Sequence, residues 1–182
     1  MMIYSTTVSK YKNMIREVLI TVVLAAVIYL GVQAIIQQRV VEQTSMLPTL
    51  TEGQRIFINK LSKTPDRGDI IVFDDPDNPG GTPLIKRVIG LPGETISIHD
   101  GLVYVNGNAL TEPYIAQSPA YSVADTLVPA EEYFVLGDNR NHSRDSHYGW
   151  TVPQDDIIGK AWLTIWPLDE LGLAPNYAYA DD

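Results

Sequence analysis

Thr95-Ile96-Ser97-Ile98-His99-Asp100-Gly101-Leu102-Val103-Tyr104-Val105 alternates apolar and polar side chains, breaks at Asp-Gly, and alternates again. Strand side chains point to opposite faces with a period of two, so this pattern predicts two antiparallel strands closed by a tight turn. Asn106-Gly107 supplies a second turn signal. Working outward, short alternations of the same kind recur. Residues 84–89 (LIKRVI) read as a strand ended by Gly90-Leu91-Pro92-Gly93. Residues 55–58, 69–73 (entered through Arg67-Gly68), 133–136 and 158–166 read likewise, and 74–83 (DDPDNPGGTP) is a polar Gly/Pro loop. Thirteen Gly and 12 Pro leave few long stretches free of breakers. The chain shows no internal repeat. The expected fold is mainly β, a coiled and mostly antiparallel sheet with little helix outside the N-terminal segment.

That N-terminal segment has a different pattern. Residues 18–36 read VLITVVLAAVIYLGVQAII, with Gln33 the one strongly polar side chain. Nineteen helical residues rise about 28 Å, close to the roughly 30 Å hydrocarbon core of a bilayer. A buried helix of a soluble domain is one alternative, and the apolar character on every face together with the basic residues just before the run speaks against it. A cleavable signal peptide is the other alternative, and Val32-Gln33-Ala34 resembles a cleavage site. The run continues past it, however, and exceeds the usual length of such a region. Lys10, Lys12 and Arg16 precede the run, which places that end in the cytoplasm by the positive-inside rule. The expected organisation is a cytoplasmic segment 1–17, a transmembrane anchor 18–36 in the lipid bilayer of the cell membrane, and an extracytoplasmic β-rich domain 37–182.

Charge and composition exclude several functions. The net charge is −9, divided into +2 over residues 1–17 and −11 over 37–182. A domain that acidic repels a phosphate backbone, so no nucleic-acid partner is expected. Cysteine is absent, which removes a disulfide scaffold, a Cys-ligated zinc and a thiol nucleophile.

Four segments hold chemistry-bearing residues. Ser45, in Thr44-Ser45-Met46-Leu47-Pro48-Thr49-Leu50, follows the apolar run closely and so lies near the membrane surface. Taken alone it reads as a turn or helix cap before Pro48. Lys86 shares a strand face with Leu84 and Val88, while Ile85 and Ile89 flank Arg87 on the other. A strand apolar on both faces is buried on both. Burial favours the neutral amine, and a neutral lysine beside a hydroxyl serves as a general base. Most strand lysines instead snorkel to the surface. Residues 137–150 (GDNRNHSRDSHYGW) form a dense polar loop suited to an active site. Asn141-His142-Ser143 within it matches a glycosylation sequon, a pattern common by chance. Arg67-Gly68-Asp69 reads as structural. On residue types alone, a Ser/His/Asp set of Ser45, His142 or His147, and Asp145 competes with the lysine reading.

Taken in order, these segments resemble bacterial type I signal peptidases. The resemblance rests on Ser-Met-x-Pro-Thr-Leu, Arg-Gly-Asp-Ile-Ile-Val-Phe, Lys-Arg-Val-Ile-Gly-Leu-Pro-Gly-Glu and Gly-Asp-Asn-x-x-x-Ser-x-Asp-Ser, and runs from the apolar segment to about Pro167. Each box is weak alone, and four in order behind an N-terminal anchor are specific. The resemblance implies a membrane-bound serine endopeptidase that removes signal peptides from exported preproteins, cutting after small residues with no cofactor and no metal. It implies Ser45 as nucleophile, Lys86 as general base and Ser143 as the hydroxyl that orients the amine. Asp145 would support that loop, and Asp138 would pair with Arg87. The Ser45 backbone N–H would be one oxyanion donor. Met46, Leu50 and Ile85 would line pockets for the substrate's small residues.

Three positions depart from the family pattern. Gln43 stands two residues before Ser45, where relatives often have Ser or Gly, and becomes the candidate second oxyanion donor. His147 stands where an Arg commonly partners the loop aspartate, with Arg144 a possible substitute. The span between Gly93 and Gly137 is short, so the large accessory β domain of some members is expected to be missing. A catalytically silent anchored binding module is a third reading, and nothing argues for it because both dyad positions are filled. A soluble self-cleaving repressor uses Ser/Lys chemistry too, but needs a DNA-binding domain where this chain has its apolar run.

Overall fold

The computed structural model describes residues 3–179, with side chains from Tyr11 onward. Residues 1–2 of the expected cytoplasmic segment, the side chain of Lys10, and residues 180–182 lie outside the described residues. The chain divides into two units at Ile36/Gln37.

The first unit is one α-helix, α1 (Ile3–Ile35), of 33 residues. It begins well before the apolar run because nothing between residues 3 and 17 breaks a helix: that stretch has neither Gly nor Pro. Its portion Tyr11–Ile35 is long and apolar enough to cross a membrane, and none of it is buried by protein. The helix stops one residue earlier than expected, since Ile36 already belongs to a strand.

The second unit is built of strands in two sheets. In chain order they are β1 (Ile36–Val40), β2 (Arg55–Asn59), β3 (Ile70–Phe73), β4 (Leu84–Gly90), β5 (Thr95–His99), β6 (Leu102–Val105), β7 (Asn108–Ala109), β8 (Val123–Leu127), β9 (Glu132–Leu136), β10 (Val152–Pro153), β11 (Ile157–Trp166) and β12 (Gly172–Leu173). The larger sheet runs β1-β2-β11-β3-β4-β9-β10, with β12 also on β11. The smaller runs β7-β6-β5-β8. The registered pairings are antiparallel, and shifts along the ten-residue β11 let the sheet curl. The fold is therefore mainly β with a curled antiparallel sheet and one N-terminal apolar helix, as the alternation predicts.

The hairpin that opened the reading is β5-β6, with Ile96 opposite Val105 and Ile98 opposite Val103. Asp100 and Gly101 both have positive φ, at 51° and 75°, which the two-residue turn requires. The whole smaller sheet lies between Gly93 and Gly137.

Strand β4 is central, hydrogen-bonded to β3 and β9. Its register sets Lys86 opposite Ile71, and Arg87 opposite Ile70 and Leu136. Ile71, Phe73, Leu84, Val88 and Val135 form one apolar core cluster. Ile89, Phe134 and Leu136 join the smaller sheet in a second, and Met46, Leu50, Ile56 and Ile70 belong to a third. Both faces of β4 are thus covered, and the two cations it carries lie inside the protein.

Candidate active site

Ser45 sits in a turn whose local bonds include Leu47 N–H to the Thr44 carbonyl and Leu50 N–H to the Met46 carbonyl. Met46 and Leu50 fix it from beneath, each 1% exposed. Asn139 fixes it from the side. Its backbone N–H donates to the Ser45 carbonyl at 3.0 Å, and its side-chain amide to the Thr44 carbonyl at 3.1 Å. The polar loop after β9 therefore holds the serine turn in place.

Lys86 Nζ lies 2.8 Å from Ser45 Oγ and donates to the Ile85 carbonyl at 3.0 Å. The lysine is 1% exposed. Burial lowers its pKa from 10.5 to about 8, because an ammonium loses its hydration there and a neutral amine loses little. Asp145, Asp75 and Asp138 pull the value up and Arg144 pushes it down, and all of these are smaller than the desolvation.

The residue beside it, Arg87, meets Asp138 in a two-pronged salt bridge at 2.9 and 2.7 Å, with both side chains fully buried. Buried charge must be paired and hydrogen-bonded throughout. The two Nη1 protons go to the carbonyls of Gly68, at 2.7 Å, and Pro175, at 3.2 Å, and the ring of Tyr114 lies 4.0 Å from the guanidinium centre. Arg67-Gly68-Asp69 is structural, as read. Arg67 forks onto Glu94, Gly68 caps Arg87, and Asp69 pairs with Lys160 at 2.5 Å. Gly68 cannot be replaced, since its φ is +89° and an added Cβ would lie 1.8 Å from the Tyr177 carbonyl oxygen.

In the loop after β9, Asp145 is fully buried. One carboxylate oxygen accepts the Gly137 N–H at 2.9 Å, and the other lies 2.7 Å from His147 Nδ1. His147 is thus the partner of Asp145. Its ring is stacked on Tyr121 and tilted against Tyr148, with centroids 4.1 Å away in both cases. Arg144 turns instead to Asp75 and Asp77. Ser143 Oγ is buried and bonds to no described group, and the amine bonds of Lys86 go to Ser45 and Ile85. The hydroxyl packs against Gly137, where an added Cβ would fall 2.2 Å from it and 2.5 Å from the Ser45 carbonyl oxygen. Gly137 therefore allows the serine turn and the Ser143 loop to meet.

A cavity of about 260 Å³ opens at Ser45, lined by Val40, Val41, Met46, Val72, Ile85 and the more polar Gln43 among others. Met46 and Ile85 reach it as expected from their positions. Leu50 does not line it and lies in the core cluster behind Met46. Gln43 is exposed at its edge. Thr82 and Pro83, from the loop between β3 and β4, form another part of the rim.

Several residues that support the site carry no sequence signal of their role. Glu112 and Arg140 form a buried ion pair at 2.6 Å, and Arg140 also donates to the Gly137 carbonyl. Asn176 accepts the Ile70 N–H at 2.8 Å, and the Tyr177 N–H donates to the Gly68 carbonyl at 3.1 Å, so the chain after β12 closes over this region. Among the described residues, no group of three or more His, Asp or Glu side chains is placed to hold a metal ion. His147 and Asp145 form two members of a Ser/His/Asp set, but neither His147 nor His142 bonds to Ser45.

A serine hydroxyl held against a desolvated lysine amine, at the head of a cavity lined by both apolar and polar side chains, has the parts of a serine hydrolase that works without histidine. Comparison with known proteins agrees and is more specific. The family model described as "Signal peptidase, peptidase S26" matches residues 12–166. A signal peptidase I of Leptolyngbya laminosa is 42% identical over 181 residues, covering 92% of this chain and 89% of that protein. A signal peptidase I of Bacillus licheniformis is 33% identical over 175 residues, covering 88% and 93%. A solved signal peptidase I from Enterococcus faecalis aligns with a TM-score of 0.47 at 40% identity, over 54% of this chain and 97% of that one. The chain belongs to the signal peptidase family, peptidase S26. It is a membrane-anchored serine endopeptidase, a hydrolase whose family removes signal peptides.

Proposed function

We propose that the protein cuts signal peptides from exported preproteins after small residues, of the Ala-x-Ala type, with Ser45 as nucleophile and Lys86 as general base. The observation that carries the reading is the 2.8 Å approach of the buried Lys86 amine to Ser45 Oγ. Neutral Lys86 takes the Ser45 proton as the oxygen attacks the carbonyl carbon of the scissile bond. The tetrahedral oxyanion collapses to an acyl-enzyme, and the lysine ammonium gives its proton to the leaving amine. A water, deprotonated by the same amine, then releases the acid and restores Ser45. The Ser45 backbone N–H and the side chain of Gln43 are the oxyanion donors of this scheme. The cavity beside Ser45, closed behind by Met46 and Ile85, suits small side chains.

Residues 1–17 lie in the cytoplasm in this reading, the apolar helix spans the cell membrane, and 37–182 form the peptidase domain outside. Lys12 and Arg16 support that orientation. Anchoring holds the cavity where signal peptides leave the bilayer, so proximity replaces tight binding. The test is cleavage of a preprotein with an Ala-x-Ala site by wild type and Lys86→Ala. The variant is expected to be inactive, and an active one overturns the dyad. Protease added outside spheroplasts is expected to digest 37–182 and spare an N-terminal tag, and a protected domain reverses the orientation.

A further inference from the structure

Arg144 follows Ser143 in the chain and precedes Asp145, yet its side chain reaches the loop between β3 and β4, across 67 and 69 residues of sequence. One guanidinium nitrogen meets Asp75, and another donates to Asp77 at 2.8 Å. The Asp75 side chain is 6% exposed and the Arg144 side chain 42%, so the pair is half sheltered from water. Asp75 is also the point from which its own loop is built. Its carboxylate accepts the Asp77 N–H at 3.0 Å, its carbonyl accepts the Asn78 N–H, and the Asn78 carbonyl accepts the Gly81 N–H. The next two residues, Thr82 and Pro83, form part of the rim of the cavity at Ser45.

We infer that Arg144 is a positioning residue: by gripping Asp75 and Asp77 it fixes the loop that brings Thr82 and Pro83 to the substrate cavity, and ties that rim to the loop supporting the dyad. The inference rests on Lys86 being the base. A bidentate guanidinium has the geometry for such a tie, and an ammonium does not. Four charged groups act on the Lys86 amine: Asp145 and Asp138 from the loop after β9, Asp75 from the rim loop, and Arg144 between the two. Burial dominates the lowered pKa of Lys86; within it Arg144 disfavours the ammonium and Asp75 favours it, so loss of either one alone shifts the base.

The test uses full-length enzyme in detergent and one preprotein. Arg144→Gln is expected to raise KM by roughly three- to tenfold with little loss of kcat, because the rim is no longer held. It is also expected to move the ascending (acid) limb of the kcat/KM profile to higher pH. Asp75→Asn is expected to raise KM similarly and to move the limb to lower pH. Arg144→Lys should restore the limb and leave KM high. Because Asp75 is buried, the exposed Asp77→Asn is a second probe, with raised KM and an unmoved limb. Limbs that coincide in Arg144→Gln, Asp75→Asn and wild type, with KM unchanged, overturn the positioning role while leaving the dyad intact. A limb that persists in Lys86→Ala overturns the dyad itself.

Discussion

His147 Nδ1 lies 2.7 Å from Asp145 Oδ1, and the other oxygen of that carboxylate accepts the Gly137 N–H. The histidine is therefore tied to the loop aspartate and not to the serine, whose hydroxyl meets Lys86. His147→Ala removes a support, and partial activity is the expected result. His142→Ala should behave alike. Ser45→Ala and Lys86→Ala should abolish processing, with unchanged circular dichroism showing an intact fold. A dead His147→Ala beside an active Lys86→Ala would install the Ser/His/Asp set instead.

Activity should follow the neutral form of Lys86. With its pKa lowered to about 8 by burial, the amine is mostly protonated at pH 7 and mostly free at pH 9. Below about 8, kcat/KM should rise close to tenfold per pH unit and then level off. A profile flat from pH 6 to 9 would remove lysine as the base.

The same lowered pKa makes Lys86 a cost to folding. Between about 8 and 10.5 the unfolded chain binds more protons than the native one, so this group's contribution to stability rises with pH across that window. Below pH 8 the whole penalty stands, about 3 kcal/mol for a shift of this size. Lys86→Met fills similar space without the charge. It should be inactive, yet more stable than wild type at pH 7 by up to that amount, with the gain fading by pH 10. Urea midpoints at the two pH values read this directly, and equal midpoints at pH 7 would contradict it.

Gln43 lies at the cavity edge two residues before Ser45, and its amide has two protons to give. As an oxyanion donor it should be worth about a hundredfold in turnover. Gln43→Leu and Gln43→Gly should then lose kcat with KM little changed, while Gln43→Ser keeps much of it. A glycine variant as fast as wild type would assign the second donor elsewhere.

The alternating strands were legible because burial on one or both faces imposes a period that sequence displays, as in 95–105 and 84–89. Strand β1 was not, because Ile36-Gln37-Gln38-Arg39-Val40 follows an apolar run and carries three polar residues in succession. Strand β8 was hidden for a similar reason. Val123-Ala124-Asp125-Thr126-Leu127 is an edge strand of the smaller sheet, largely exposed, so no core enforces a pattern on it. At the site, Ser45 and Lys86 could be nominated from local setting and family resemblance. The placement of Leu50 behind Met46, the choice of His147 over Arg144 as partner of Asp145, and the Glu112–Arg140 pair depend on contacts between distant segments. Residue type and spacing do not encode such contacts.

The chain from Pro175 to Tyr177 lies against the start of β3 and the guanidinium of Arg87. The Ser45–Lys86 contact joins residues 41 apart, Arg87–Asp138 residues 51 apart, and Arg87–Pro175 residues 88 apart. Each closure costs chain entropy before it returns any contact energy. No short fragment of the second unit can therefore carry the site. A nascent chain that has not yet reached Pro175 has the Gly68 carbonyl for its buried Arg87 but lacks the second carbonyl cap, so the last contact of that cation is supplied late in synthesis.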